Sequence, residues 1–257
     1  AMIELLNLKQ KETYFDFLDN KQRLYPDILK LANAANKKFI LSPYFLGGVE
    51  ASLTRELDVY VKGYVSYRPY YDFWNHMIKD PNLILKGVNF FLQDLGSHNL
   101  EFLQNQVNDH FDSLYRATLC YVLNKITNEG TITCGTLDKN FARLNRKAVD
   151  RIANFEYNGR FAVEMLDWEF LNSQNENSLL LLLPNELYRG LSDTGNNIAE
   201  KSLLNFSKIR RFTARKDSKI ILACKTRKSM LPLLENKFDV IKFNETEDRI
   251  GIIAHNV

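Results

Sequence analysis

Cysteine is scarce, with only Cys120, Cys134 and Cys224 among 257 residues. They are widely spaced and form no C-x-x-C pair. That excludes a disulfide-stapled framework and a thiolate zinc site, and points to a reducing compartment, here expected to be cytoplasmic. The four histidines, His76, His98, His110 and His255, show no metal-ligand spacing, so no metal is expected. No apolar run approaches the roughly 18–20 residues needed to span a bilayer; the most conspicuous is five leucines, Leu179–Leu183. The start, "AMIELLNLKQKE", is charged too early for a signal peptide, and Ala1 before Met2 reads as an expression remnant. Internal repeats and low-complexity linkers are missing. Charge of one sign is lacking too: the formal net charge is +3, which alone argues for no partner.

What is present suits a packed α/β protein. Apolar and charged fractions are ordinary, and the length suits one large domain or a domain carrying an insertion. Residues 1–37 read as helical. "KKFILSPYFLGG" turns into a short strand, Phe39–Leu41, that stops at Pro43 and a glycine pair. Residues 57–67 read as the next strand. From Tyr70 to about Leu123 the spacing is helical throughout, interrupting the strand rhythm. Residues 128–140 are turn-rich with room for a hairpin. Strands return at 155–166, 179–184, 218–225, 238–244 and 248–257, with helical stretches at about 165–175, 196–211 and 227–236. This pattern predicts an α/β sheet with a helical insertion and an antiparallel end.

Two places stand out. The leucine run ends hard at Pro184, so "LPNELY" should leave the end of a buried strand, where open α/β sheets bind ligands. As local structure it reads as a loop opening a helix. Basic residues gather in "NRKAVDR" (145–151), "KIRRFTARKDSK" (208–219) and "KTRK" (225–228). Each run suits either a phosphate backbone or a plain solvated face. Trp74 and Trp168 read as core.

Several pieces, in this order, resemble the Dam-type adenine-specific DNA methyltransferases. "SPYFLGGVEASL" is similar to that family's Glu-Pro-Phe-x-Gly-Gly-Gly cofactor loop. "FWNHMIKDP" is similar to the helix after its second strand. "RATLCYVLNKITNEG" resembles its Leu-Asn-Arg…Asn-Gly segment, with "LDKNFARLN" following. "NSLLLLLPNELYRG" sits where the family places its Asp-Pro-Pro-Tyr motif, and "SKIILACKTRKSMLPLLENKFDVIKFN" resembles its last strand–helix–strand. "DNKQRLYPDIL" echoes the amino-terminal Gly-Gly-Lys segment, with Lys21 as the lysine. The likeness covers nearly the whole chain, and its specificity lies in order and spacing.

The resemblance implies a Rossmann-like methyltransferase sheet, residues 1–67 and 150–257, with an inserted helical DNA-recognition domain at 68–149. It implies S-adenosylmethionine as cofactor, held by Lys21, Pro43, Phe45, Gly47 and Gly48. It places Leu183, Pro184, Asn185 and Glu186 at the catalytic motif. It assigns DNA contacts to Asn124, Lys125 and Asn128, to which Arg143, Arg146 and Lys147 add donors for phosphate or base edges. Lys139, Asn140 and Arg151 extend that set.

The residue types at these positions predict lost chemistry. Adenine-N6 methylation works on a flipped base. The family's Asp and a prolyl carbonyl accept the amine hydrogens, and its Tyr stacks on the ring. Leu183 accepts nothing and Glu186 offers no π-face, with Tyr188 the nearest aromatic. Losing one preorganised polar contact typically costs about a hundred- to thousand-fold in rate. Leu46 holds the place of the loop's first glycine, and Tyr64–Val65 that of the acid that grips ribose hydroxyls. The expectation is a degenerate methyltransferase without methyl transfer: a DNA-binding or partner subunit, in a restriction-modification setting. Two alternatives stand beside it: an active methyltransferase working through backbone carbonyls, and a structural protein on the same fold.

Overall fold

The computed structural model describes residues 14–15, 21–94, 99–138, 143–173, 177–189, 203–215 and 217–257. Its frame is a nine-stranded, mostly parallel sheet flanked by helices. The strands are β1 (Phe39–Pro43), β2 (Tyr60–Val65), β3 (Phe161–Met165), β4 (Ser178–Leu182), β5 (Glu186–Tyr188), β6 (Leu203–Asn205), β7 (Lys219–Arg227), β8 (Asp239–Phe243) and β9 (Arg249–His255). The main order is β3-β2-β1-β4-β7-β5-β6, all parallel. β9 runs antiparallel beside β7, and β8 pairs antiparallel with β9.

β1 has β2 on one side and β4 on the other, in register from Phe39 opposite both Tyr60 and Ser178. Successive connections therefore leave β1 in opposite directions, and the carboxyl ends of β1 and β4 lie side by side at the point where the strand order reverses. β4 is central and covered on both faces, which is why its sequence is an unbroken leucine run rather than an alternation. Leu179, Leu181 and Leu183 enter one core layer, and Leu180 and Leu182 the other.

The flanking helices are α1 (Tyr25–Ala35), α2 (Gly48–Glu56), α3 (Arg68–Lys79), α4 (Pro81–Asp94), α5 (Leu100–Asp109), α6 (Ser113–Ile126), α7 (Arg146–Ala153), α8 (Trp168–Ser173), α9 (Arg210–Thr213) and α10 (Leu231–Glu235). Local chemistry sets several ends. α1 closes at Asn36 in the left-handed region, whose N–H reaches the Asn33 carbonyl. Asp112 opens α6 by accepting from the Leu114 and Tyr115 N–H groups, and Asn145 opens α7 by accepting from Ala148.

Helices α3–α7 form the block between β2 and β3. α6 is its centre, buried at every residue from Arg116 to Ile126. Such a helix must satisfy its polar side chains internally. Arg116 does so through the Asp72 carboxylate at 2.8 Å. One continuous apolar cluster runs from the sheet (Ile40, Val61, Leu181) into the block (Ile84, Leu103, Leu119). The inserted helices thus share their core with the sheet.

Most expected strands are present, with three differences. Only the second half of 155–166 is extended. Residues 203–205 are a strand inside a stretch expected to be helical. "LPNELY" opens no helix: residues 186–188 form β5. The reason lies in β7, which runs past the end of β4 and offers an unpaired edge. Lys225 N–H donates to the Asn185 carbonyl, and Thr226 Oγ1 donates to the Leu187 carbonyl. The turn-rich stretch after α6 folds back through an isolated antiparallel bridge between Thr127 and Leu137.

No helix among the described residues is long and apolar enough to cross a membrane. The three cysteines are free, with Cys120 and Cys224 buried and Cys134 exposed. Among the described residues, no group of three or more His, Cys, Asp or Glu side chains is arranged to hold a metal ion.

Candidate functional site at the carboxyl ends of β1 and β4

The loop after β1 is built on a buried carboxylate. Glu50, in the first turn of α2, is fully buried. Its Oε1 accepts from the Leu46 N–H at 2.8 Å and from Ser42 Oγ at 3.1 Å, and its Oε2 accepts from the Gly47 N–H at 2.9 Å. This is the returning half of a capping box, with the third helical residue reaching back to the cap N–H. Burial pushes the Glu50 carboxyl above the usual carboxylate range, and these hydrogen bonds oppose the shift. Two N–H groups that a glycine loop offers to a ligand are consumed within the protein.

Aromatic rings fill the space over the loop. Gly47 has φ of 93°, and a Cβ built there would lie 2.2 Å from the Trp74 indole. A Cβ on Gly63 would lie 2.3 Å from the Phe45 ring. Phe45 and Trp74 meet edge to face at 5.1 Å between centroids, and both are 1% exposed. Leu46 carries no positive φ. The left-handed residue is Tyr44, at φ 63°, a conformation costing roughly 1–2 kcal/mol outside glycine. Tyr44 is held there by its hydroxyl donating to the Leu203 carbonyl at 2.9 Å. Pro43, Gly48 and Lys21 are buried as well.

At the end of β2, Tyr64 and Val65 are buried where an acid would grip a ribose. Burial raises the Tyr64 phenol to about 12, with Glu164 adding to the shift. Glu164 stands opposite Tyr64 on β3 and pairs with Lys62 at 3.4 Å, and the acids nearest in sequence are engaged elsewhere. Asp58 pairs with Lys38 and Arg160 before β2, and Asp72 holds Arg116 inside the block. Two loop N–H groups are thus occupied by Glu50, and Tyr64 and Val65 stand at the end of β2 where the resemblance would place a carboxylate acceptor.

The motif position is closed in the same way. Leu183 is 1% exposed, and Pro184 is buried. The Asn185 carbonyl belongs to the β7 edge, and Glu186 Oε2 accepts from Arg249 Nη1 at 2.9 Å.

The residues expected to face DNA fall into two sets. Asn124 is fully buried and donates to the Gly130 carbonyl at 3.0 Å. Lys125 is also buried, donating to the Tyr14 carbonyl at 2.9 Å beside the Tyr121 ring. Asn128 is exposed but donates to Thr136 Oγ1, and Arg143 donates to the Thr127 carbonyl. Arg146 and Lys147 project from α7 into solvent, Arg146 with its side chain 93% exposed and only a loose contact to Asp150 at 3.6 Å. Arg151 lies over the Tyr14 ring. Lys139 and Asn140 lie outside the described residues.

Sequence reasoning missed Glu50 and Arg249. Glu50 had a signal, since Gly47-x-x-Glu50 before an apolar helix is a capping-box spacing. Arg249 had none, because its place opposite Arg227 depends on strand register. No family model and no curated protein matches the chain.

Proposed function

We propose that the chain is a non-catalytic relative of the Dam-type adenine-specific DNA methyltransferases, acting as a DNA-binding or partner subunit. One observation carries the loss of catalysis: the Glu50 carboxylate takes up both N–H groups of the β1 loop, under a lid of Phe45 and Trp74. A cofactor would have to displace a buried carboxylate and two packed rings. The parallel sheet with its strand order reversing at β1, its antiparallel end and its helical block after β2 supports the methyltransferase-like reading. The solvent-facing Arg146 and Lys147 support contact with phosphate.

A methyl-transfer assay on adenine-containing duplex, paired with a binding titration of the same duplex, tests the proposal. The expected result is no transfer, with binding that weakens steeply as salt rises because neutralised phosphates release counterions. Methyl transfer by the unaltered protein, lost on Asn185→Ala or Glu186→Ala, would overturn it.

A further inference from the structure

β7 is nine residues long, and β4 covers only Lys219–Leu222 of it. Its side chains alternate between two cores: Ile221 and Ala223 face the layer that holds the helical block, and Ile220, Leu222 and Cys224 face the other. Carried past the last core residue, the alternation puts Lys225 and Arg227 on the helical-block face, where both are exposed. Arg227 stands directly opposite Arg249 of β9, and Lys225 opposite Gly251. Opposed antiparallel residues share a face with Cα atoms about 4.5–5.5 Å apart, and Lys225 follows along the strand at about 7 Å. Three cations thus share one small area of sheet.

Among the described residues, one fixed counter-charge meets them. Glu186 of β5 is in register with Lys225, and its carboxylate holds Arg249 at 2.9 Å. Among the described residues, neither Lys225 nor Arg227 has a carboxylate partner. Like charges directly opposite each other weaken a ladder unless an anion sits between them. Beside them Gly251 has no side chain and the Phe243 ring covers it: a Cβ there would lie 2.3 Å from that ring, so the three cations lie at the edge of an aromatic surface.

The geometry points to a phosphate-binding floor formed by Lys225, Arg227 and Arg249, which receives the backbone of a nucleic-acid strand beside the "LPNE" loop. This rests on the DNA-binding reading above and gives it a place on the sheet, separate from α7. Glu186 is then an internal competitor. Its carboxylate occupies the Arg249 fork that a phosphodiester would take, bidentate recognition being what a guanidinium does best. A strand entering the floor exchanges one carboxylate for phosphates and relieves the Arg227–Arg249 opposition.

The test is anisotropy of a short labelled duplex across a salt series, with circular dichroism to verify folding. The double variant Lys225→Gln/Arg227→Gln is expected to bind about ten-fold more weakly at low salt and to lose about two from the slope of log affinity against log salt. Glu186→Gln is expected to tighten binding. Duplex binding that is unchanged in the double variant, but lost in Arg146→Gln/Lys147→Gln, would overturn the floor and leave the DNA-binding reading standing. No duplex binding by the unaltered protein at low salt would overturn both. Saturable binding of inorganic phosphate alone, lost in the double variant while duplex is ignored, would overturn the nucleic-acid assignment.

Discussion

Trp74 lies so tightly against Gly47 that a Cβ on the glycine would sit 2.2 Å from indole Cη2. Gly47 also holds φ of 93°, a left-handed value that L side chains adopt only with strain. The two effects add, because the ring belongs to a helix in the main core and cannot step aside cheaply. Gly47→Ala should destabilise the fold by about 3 kcal/mol, combining the backbone term with overpacking. Urea unfolding reads this directly. Stability near that of the unaltered protein would mean the indole is free to move, and the lid over the β1 loop would lose its basis.

Glu50 predicts a pH signature. Its pKa is raised in the folded protein by burial, so the fold favours the protonated form. In the unfolded chain the group titrates in the ordinary carboxylate range. Between these two values the folded state binds more protons than the unfolded state, and stability falls as pH rises. Glu50→Gln removes this component. Unfolding free energies of the two proteins, compared from mildly acidic to neutral pH, should diverge in slope, with the unaltered protein losing more stability as pH rises. Parallel curves would contradict the assignment.

The positions expected to face DNA should separate into stability and binding. Asn124→Ala leaves the Gly130 carbonyl without its donor, and Lys125→Met does the same to Tyr14. Each should cost about 1–3 kcal/mol of stability, the penalty of an unsatisfied buried group, and leave duplex affinity unchanged. Arg146→Glu with Lys147→Glu should do the reverse, moving stability by about 0.5 kcal/mol or less and weakening duplex binding for every sequence. Loss of duplex affinity in folded Asn124→Ala would return that residue to the interface.

Much of the fold was legible because its signals are local. The leucine run, the Pro184 stop and the glycine pair after Phe39–Leu41 are local signals, and they placed β4 and β1, though β1 runs on to Pro43 and β4 already ends at Leu182. What failed was decided by pairing. Glu186–Tyr188 became a strand because a distant β7 edge was open to it, and nothing within "LPNELY" encodes that. At the candidate site, what was legible was residue type. Leu183, Leu46 and Tyr64–Val65 are apolar or aromatic where the resemblance would have polar groups or glycine, and the structure buries all of them. That Glu50, Phe45 and Trp74 would fill the resulting space could not be read from spacing, because Trp74 reaches the loop only through the packing of α3. The expected DNA contacts mixed buried and exposed residues for a related reason: α6 is buried on every side, and its lysine and asparagine look like surface residues until the helices around it are placed.

The sealing of the β1 loop is tested most directly by calorimetric titration of the unaltered protein with S-adenosylmethionine. With the loop N–H groups bound to Glu50, the Phe45 and Trp74 rings packed over them and no acid at the end of β2, the predicted result is no saturable binding into the millimolar range. Saturable binding at low-micromolar concentration would show that the loop opens to admit the cofactor and would contradict the non-catalytic reading.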